Sequence, residues 1–195
     1  MRTALEATPV VSLAARRGAP VRVVAAASAD ARSLVVAARD GDSAAFGRLH
    51  ALHGRMVHAI VLRRAPAEEA ADLVQDIFLK AWRTLPSLAD PDAFGAWLGQ
   101  IARNRTTDFF RTRRDHAALT ADLGRAPPPV DEAREVLEKI RALPEAYAET
   151  LIMRLVEGMT GPEIAEATGK TEGSVRVNLH RGMALLRERL EVKKP

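Results

Sequence analysis

The sequence predicts an all-α protein in which two small helical domains are joined by a proline-containing linker. Aromatic residues make up only 4% of the 195 residues, and Ala, Leu, Arg and Glu outnumber the β-branched residues, a composition that favours helices over sheets. Apolar residues recur at steps of three and four along most of the chain. One proline-rich stretch interrupts this pattern and divides the chain into two unequal parts.

The composition also narrows the classes of function. The net charge of +4 and the pI of about 9.9 suit a polyanionic partner such as DNA, although they do not specify one. The absence of cysteine excludes disulfides, thiolate catalysis and cysteine-based zinc sites. No apolar run approaches the roughly 20 residues that span a bilayer, and Arg and Pro interrupt any signal-peptide-like stretch near the N-terminus. We therefore expect a cytoplasmic protein without membrane insertion.

The first domain is predicted to span residues 30–114, after a disordered extension over 1–29 in which Pro and Gly interrupt any helical stripe. A first helix begins near Ser33, where apolar residues start to recur at helical spacing. Three more helices follow, and Pro86, Asp90 and Pro91 mark a loop before the last of them. The predicted ranges are Phe46 to Ile60, Ala67 to Trp82 and Asp92 to Arg114.

The second domain is predicted to span residues 132–195, after a linker over 115–131 that contains Gly124 and three consecutive prolines. Its predicted helices are Glu132 to Leu143, Pro144 to Glu157, Gly161 to Thr168 and Thr171 to Val192. Thr160 and Glu163 have the spacing of a capping box, Gly169 ends the short helix and Thr171 can cap the next one.

The last helix carries a basic face beside its buried stripe. Arg176, Val177, His180 and Arg181 project from a different side than the apolar residues Val175, Leu179, Met183 and Leu186. A short helix, a glycine turn and a longer helix with an arginine-rich face predict a helix-turn-helix whose second helix enters the major groove. The alternative is a solvated amphipathic helix. The coincidence of cap, turn and basic face favours DNA binding.

Two further surfaces stand out in the first domain. Five arginines lie between 103 and 114 against a single acidic residue, Asp108, which suits a nucleic-acid surface; Phe109 and Phe110 among them fit the core better. The helix before them has an acidic side with Asp72, Gln75 and Asp76. These residues alone leave a protein-docking surface and a plain solvated face equally open.

No chemistry of catalysis is visible in the sequence. His50, His53 and His58 do not share one helical face, and no pair of carboxylates completes a metal shell around them. We therefore interpret them as solvated or packing residues and predict no metal, no cofactor and no enzymatic activity.

At this point the motifs, taken in order, resemble extracytoplasmic-function sigma factors of the sigma-70 family. The runs GDSAAF at 41–46, DLVQDIFLKAW at 72–82 and FGAWLGQIARN at 94–104 are similar to the four-helix sigma-two domain. The runs LPE at 143–145, EGMT at 157–160, EIAE at 163–166 and SVRVNLHR at 174–181 are similar to the helix-turn-helix sigma-four domain. Gly161 and Pro162 depart from the more usual residues, and Gly99 stands where a larger residue is common.

The resemblance implies binding to core RNA polymerase, through its β′ clamp helices and β flap, and to promoter DNA, and it suggests a cognate anti-sigma factor. On this basis the clamp-helix contacts are Asp72, Gln75 and Asp76. The minus-ten contacts, including capture of a flipped base by Asn104 and the loop at 88–90, are Leu88, Asp90, Arg103, Asn104, Arg105, Arg111, Arg113 and Arg114. The minus-thirty-five contacts are Ser174, Arg176, Val177, His180 and Arg181.

Two other functions remain open from the residues alone. A stand-alone helix-turn-helix regulator would bind duplex DNA specifically without polymerase, whereas a sigma factor should bind promoters weakly until core polymerase is present. A helical nuclease that uses the histidines is remote.

Overall fold

The computed structural model describes residues 22–119 and 132–191, with side chains for 31–112 and 132–191. Within these ranges the chain is helical and contains no strand. None of the described helices is both long and apolar enough to cross a membrane. The α-helices are α1 (Arg22–Arg39), α2 (Ser43–Leu62), α3 (Ala67–Thr84), α4 (Phe94–Leu119), α5 (Glu132–Arg141), α6 (Glu145–Leu155), α7 (Gly161–Thr168) and α8 (Glu172–Glu191).

Helix α2 is the centre of the first domain. Asp42 caps its N-terminus, where the carboxylate accepts hydrogen bonds from the amides of Ala44 and Ala45 at 2.8 and 3.0 Å. The helix packs against α1, α3 and α4, and Leu49, Met56 and other side chains along its length are fully buried. This packing builds the four-helix domain that the sequence predicts.

Short 3-10 turns at Leu85–Ser87 and Pro91–Ala93 connect α3 to α4. Leu85 and Leu88 are buried beneath this connection and attach it to the core. Asp90 caps the second turn by accepting a hydrogen bond from the amide of Asp92 at 3.0 Å. The loop therefore has a fixed position relative to the start of α4.

Two predicted boundaries differ from the structure. Helix α1 already begins at Arg22, within the predicted 1–29 extension, because the alanine-rich segment that follows has high helix propensity. Helix α4 continues to Leu119, five residues into the predicted 115–131 linker, since no proline or glycine occurs before Gly124. Residues 1–21 and 120–131, the rest of both predicted segments, lie outside the described residues.

The second domain is built around α6 and α8. Leu151 and Ile152 of α6 are fully buried, and Gly182 of α8 lies so close to α6 that a Cβ there would be 3.2 Å from Leu151. Helices α5 and α7 pack on either side of this pair. The four helices agree in order and approximate bounds with the sequence prediction.

The two domains pack directly against each other. Helices α6 and α7 contact α2, and α7 also contacts α4. The closest approach is at Gly95, where an added Cβ would lie 2.3 Å from the carbonyl oxygen of Ala167. Only a residue without a side chain fits there. Arg141 of α5 donates hydrogen bonds to the carbonyls of Leu62 and Ala65, both at 2.7 Å, and so caps the C-terminal end of α2.

Candidate nucleic-acid interface

The turn between α7 and α8 has the geometry that the sequence predicts. The Thr160 hydroxyl accepts a hydrogen bond from the amide of Glu163, and the Glu163 carboxylate accepts one from the amide of Thr160 at 2.7 Å. This backbone hydrogen bond is the main cause that lowers the pKa of Glu163. Gly169 adopts a left-handed conformation with φ of +68°, and Thr171 accepts from the amide of Ser174. The predicted capping box and glycine turn are confirmed.

The predicted reading face of α8 points into solvent. Val175 and Leu186 are buried against the domain, whereas the five predicted contact residues are exposed or nearly so: Ser174, Arg176, Val177, His180 and Arg181. Within the described part of the chain, neither Arg176 nor Arg181 forms an ion pair. Both guanidinium groups are therefore available for guanine edges or phosphates.

The acidic side of α3 is also exposed. Asp72, Gln75 and Asp76 lie on the outer face of the helix, opposite the buried Leu73 and Ile77. Asp76 is not unpartnered, because its carboxylate accepts a hydrogen bond from Arg105 at 2.7 Å. One residue of the predicted docking surface thus contacts one residue of the predicted DNA surface.

The described arginines of α4 contact carboxylates of the protein itself, and their DNA contacts stay a prediction. Arg105 pairs with Asp76, and Arg111 lies 3.3 Å from Asp108 one turn earlier on the same helix. The side chains of Arg113 and Arg114 lie outside the described residues. The three described arginines, these two and Arg103, each contact a carboxylate of the protein itself.

Arg103 makes the strongest of these contacts, and its partner lies in the other domain. Its Nε and Nη2 atoms donate to the two oxygens of Glu149 at 3.0 and 2.9 Å, and Nε also lies 3.3 Å from Glu145. The Glu149 side chain is only 3% exposed. Hydrogen bonding to Glu149 raises the pKa of Arg103 above its ordinary value. Sequence reasoning missed Glu149 because nothing in the sequence indicates that α6 faces α4.

Asn104 lies beside these arginines and is exposed. Its side-chain oxygen accepts a hydrogen bond from the Gln100 amide at 2.9 Å, which orients the Asn104 amide along the outer face of α4. The Asn104 NH2 group donates no hydrogen bond to the described residues. The predicted base-reading amide is therefore accessible in this conformation.

The two predicted contact residues of the loop at 88–90 differ in exposure. Leu88 is 6% exposed and packs into the core, and its carbonyl accepts a hydrogen bond from Arg39 at 3.3 Å. Its side chain therefore supports the loop from beneath, because apolar burial fixes the loop in place. Asp90 is exposed, although its carboxylate serves as the cap of the following turn.

The histidines occupy packing positions, as the sequence interpretation proposes. His53 is 6% exposed and its ring meets Phe94 edge-on at 5.1 Å. Burial lowers the pKa of His53 to about 4. His58 lies 2.7 Å from the Glu157 carboxylate, so His53 and His58 both lie where the domains meet. The sequence gives no signal for that location.

Comparison with protein families finds two matches in the chain. The sigma-70 region 2 family matches residues 49–116, and the sigma-70 region 4 family matches residues 133–186. The first match covers most of α2 to α4, with both the acidic face and the arginines of α4, and the second covers most of α5 to α8. Each matched region lies within one of the two packed domains, and α1 lies outside the first match.

Individual proteins show the same similarity. The chain is 33% identical over 77% of its length to the probable RNA polymerase sigma factor RfaY of Xanthomonas campestris. It is 29% identical over 82% of its length to the ECF RNA polymerase sigma factor BldN of Streptomyces coelicolor. It spans 41% of RfaY and 65% of BldN, so both proteins are longer than the shared part.

A third relative is matched over nearly its whole length. The chain is 31% identical to the RNA polymerase sigma factor CnrH of Cupriavidus metallidurans, over 80% of this chain and 91% of CnrH. The solved structure of CnrH in complex with the cytosolic domain of CnrY superposes with a TM-score of 0.55 at 29% identity, covering 85% of this chain and 99% of that one.

Proposed function

The chain belongs to the extracytoplasmic-function group of the sigma-70 family of RNA polymerase sigma factors, and we propose that it directs promoter-specific transcription initiation. In this function it binds core RNA polymerase and guides it to promoters by contacting a minus-ten and a minus-thirty-five element. It acts by binding and not by catalysis, in the cytoplasm where the polymerase transcribes.

Docking on the polymerase is proposed for the acidic face of α3. Asp72 and Gln75 are exposed and lie on a helix whose other side is buried, so a partner can reach them without unfolding the domain. Carboxylates close to DNA phosphates would be repelled, which favours a basic protein surface as their partner. The β′ clamp helices are the proposed surface, and the β flap is proposed to receive the second domain.

Minus-ten recognition is proposed for the outer face of α4. Asn104 offers both a donor and an acceptor, the combination needed to read the edge of an extruded base. Arg103, Arg105 and Arg111 flank it and would hold the opened strands through phosphate contacts. The ion pairs of these arginines would be exchanged for phosphates when DNA binds.

Minus-thirty-five recognition is proposed for the N-terminal half of α8. The capping box and the left-handed glycine fix α8 relative to α7, and the exposed Arg176, Val177 and Arg181 project from its outer side. Arginine can bind a guanine edge through two hydrogen bonds, and Val177 can contact a thymine methyl group. The helix would enter the major groove as in other helix-turn-helix proteins.

The observation that carries this proposal is the presence of both sigma regions, in order, in one chain. A stand-alone helix-turn-helix regulator would account for the second domain but not for the match of residues 49–116. Because the CnrH structure contains the cytosolic domain of CnrY, we also propose that an inhibitory partner of the anti-sigma type binds this chain.

The proposal is tested by a pull-down with core RNA polymerase followed by run-off transcription. We expect the purified chain to be retained by core polymerase and to give transcripts of defined length from a subset of genomic promoters. A chain that binds specific duplex DNA tightly without polymerase, and is not retained by it, would support the stand-alone regulator instead.

A further inference from the structure

The loop at 88–90, proposed to capture a flipped base, lies between two short 3-10 turns and beside α1. The amide of Leu88 donates to the carbonyl of Leu85 at 3.0 Å and closes the first turn. The amide of Ala93 donates to the carbonyl of Asp90 at 3.1 Å and closes the second. These hydrogen bonds hold each turn by itself but do not fix the segment between them. Helix α1 packs against both turns, and two of its arginines contact the two ends of this segment.

Arg39 contacts the first residue of the loop. Its Nη1 atom donates a hydrogen bond to the carbonyl of Leu88 at 3.3 Å, in a partly buried position. Among the described residues, no backbone amide donates to this carbonyl. A partly buried carbonyl without a donor is unfavourable. The guanidinium of Arg39 therefore stabilises the conformation in which Leu88 leaves the first turn with an extended backbone.

Arg32 contacts the turn that follows the loop. Its guanidinium forms an ion pair with the carboxylate of Asp92, and the amide of Asp92 donates to the carboxylate of Asp90 at 3.0 Å. The side chains of Arg32 and Asp92 are 52% and 60% exposed, so the pair by itself contributes little free energy. Its effect is local: it attaches Asp92, and the cap that Asp90 forms there, to α1.

The two arginines lie on one face of a helix whose other face is buried. They are seven residues apart, which is about two helical turns, so their side chains leave the same side of α1 about 10 Å apart. Leu34, Val35 and Ala38 on the other side are buried in the core of the first domain. The segment from Leu88 to Asp92 can span at most about 14 Å. Two points of attachment at this spacing restrict the conformations of the loop.

Both contacts join parts of the chain that are far apart in sequence. Arg32 and Asp92 are separated by 60 residues, and Arg39 and Leu88 by 49 residues. The match to sigma-70 region 2 begins at residue 49, whereas α1 ends at Arg39, so the matched region does not include either arginine. The attachment of the loop to α1 is therefore visible only in the tertiary structure.

We propose that Arg32 and Arg39 are positioning residues for minus-ten recognition: together they hold the loop at 88–90 in the conformation that receives an extruded base. A loop that is already held in its binding conformation loses less conformational entropy when the base binds. In this role the two arginines act through the loop and do not contact DNA. The effect on base capture rests on the function proposed above, whereas the dependence of the loop conformation on α1 does not.

The first experiment measures the order of the loop in the free, full-length chain. Hydrogen exchange of single backbone amides, followed by NMR, reports how often each local hydrogen bond opens. The amides of Asp92 and Ala93 report on the second turn of the loop region. We expect Arg32→Ala combined with Arg39→Ala to speed their exchange by about tenfold, since each exposed contact accounts for up to about fivefold. Exchange in the core of α2 should not change.

The matched control for each single change is Arg48→Ala on α2. Arg48 is an exposed arginine of the same domain, and the loop is held by other residues, so exchange in the loop should stay at the wild-type rate. Two rescue variants test the chemistry of the contacts. Arg39→Lys keeps a donor for the carbonyl of Leu88 and should restore most of the protection lost in Arg39→Ala. Arg32→Asp combined with Asp92→Arg should restore the ion pair with its charges exchanged.

The second experiment measures whether the order of the loop affects base reading. Strand opening by the holoenzyme is followed with permanganate on promoters that differ at one minus-ten position. We expect the double alanine variant to open the preferred promoter about three- to tenfold less than wild type and to discriminate less between bases at that position. Affinity for core polymerase and dependence on the minus-thirty-five sequence should not change, because neither involves the loop.

Three results would overturn the proposal. One is unchanged exchange of the loop amides in the folded double variant. Another is faster exchange with unchanged base preference, which would make the contacts purely structural. The third is an equal loss of opening for every base, which would identify the arginines as phosphate contacts. Run-off transcription by wild type tests the proposed function separately: absence of transcripts counts against the sigma role, while amide exchange still decides whether α1 holds the loop.

Discussion

Helices α4 and α8 both carry arginines proposed to contact DNA, yet their guanidinium groups have opposite surroundings. On α4, Arg103, Arg105 and Arg111 each contact a carboxylate of the protein. On α8, Arg176 and Arg181 are exposed and make no ion pair with the described residues. If both surfaces bind DNA as proposed, the α8 surface needs no rearrangement of ion pairs, whereas the α4 surface must first exchange carboxylates for phosphates.

The surroundings of each arginine on α4 determine how much free energy is lost when it leaves its carboxylate for a phosphate. Exposed ion pairs contribute only about 0–1 kcal/mol, so the Arg105 and Arg111 pairs give way easily to DNA. The Arg103–Glu149 pair is different because Glu149 is buried, and a buried carboxylate that loses its partner is costly. The cost disappears when the domains separate and water reaches Glu149. We therefore expect Arg103 to leave Glu149 only if the two domains move apart, whereas Arg105 and Arg111 need no such movement.

The largest effect is expected from charge reversal on α3, the proposed polymerase-docking surface, where Asp76 contacts Arg105 of α4. Asp72→Lys with Asp76→Lys should reduce core polymerase affinity by more than about a hundredfold, since like charges at an interface cost several kcal/mol. Circular dichroism should show a folded protein, because both residues are exposed. Equilibrium binding to core polymerase measures the loss.

The matched control reverses two exposed carboxylates elsewhere, with Glu188→Lys and Glu191→Lys near the end of α8. Its affinity for core polymerase should remain close to wild type. Full polymerase binding by the folded α3 double variant would mean that this acidic face is only solvated.

A second prediction concerns Arg176 of α8, which makes no ion pair with the described residues. Arg176→Ala should weaken promoter binding by the holoenzyme by about 1–3 kcal/mol, because a two-hydrogen-bond contact to a base is lost without any rearrangement of the protein. The loss should vary with the minus-thirty-five sequence. Arg189→Ala, roughly on the opposite side of α8, should have little effect. A loss that is uniform across promoter sequences would identify Arg176 as a phosphate anchor.

A third prediction concerns Asn104, which is exposed among the paired arginines of α4. Asn104→Ala should spare assembly with core polymerase but slow strand opening by about 0.5–1.5 kcal/mol, the net value of one hydrogen bond. Pre-melted templates should recover part of the loss, because the cost of unpairing is removed. Permanganate footprinting reports opening directly.

Gln100→Ala is the companion variant, since it removes the donor that orients Asn104 and keeps the Asn104 amide. It should have a smaller effect on opening than Asn104→Ala. Wild-type opening and unchanged base preference in Asn104→Ala would assign Asn104 a structural role.

The smallest expected effect concerns pH and His53 at the domain boundary. The pKa of His53 is about 4 when packed against α7, against an ordinary value near 6.5. Packing of the two domains around His53 lowers this pKa. The resulting stabilisation of the packed arrangement is therefore fully present above about pH 6.5 and is lost as the pH falls towards 4. Lowering the pH from 7.5 to 6.0 should reduce the ratio of packed to separated domains by up to about fourfold. Energy transfer between dyes attached at Arg48→Cys of α2 and Ala184→Cys of α8, both exposed positions, measures this ratio.

His53→Leu should remove this part of the pH dependence, while His50→Gln, on the exposed side of α2, should keep it. His58, Glu157 and Glu163 remain in both variants, so the difference between them isolates His53. An identical pH profile in His53→Leu and wild type would contradict the assignment.

Local features of the sequence determined the helices and the helix-turn-helix. The capping box of Thr160 and Glu163, the left-handed Gly169 and the apolar periodicity of α3 were all predictable, because each depends on residues within about one helical turn of one another. The same holds for the exposed faces of α3 and α8. Once one side of an amphipathic helix is buried, the other side must face solvent.

Only the tertiary structure decided which charges meet and which apolar residues are covered. Leu88 lies in a loop yet is buried, and Asp76 and Arg105 lie on different helices yet form an ion pair. Arg103 and Glu149 are 46 residues apart and belong to different domains. A count of charges predicts a basic α4 but not that Arg103 contacts a carboxylate of the other domain. An ion pair acts over a few ångströms in space, and that distance is set by domain packing.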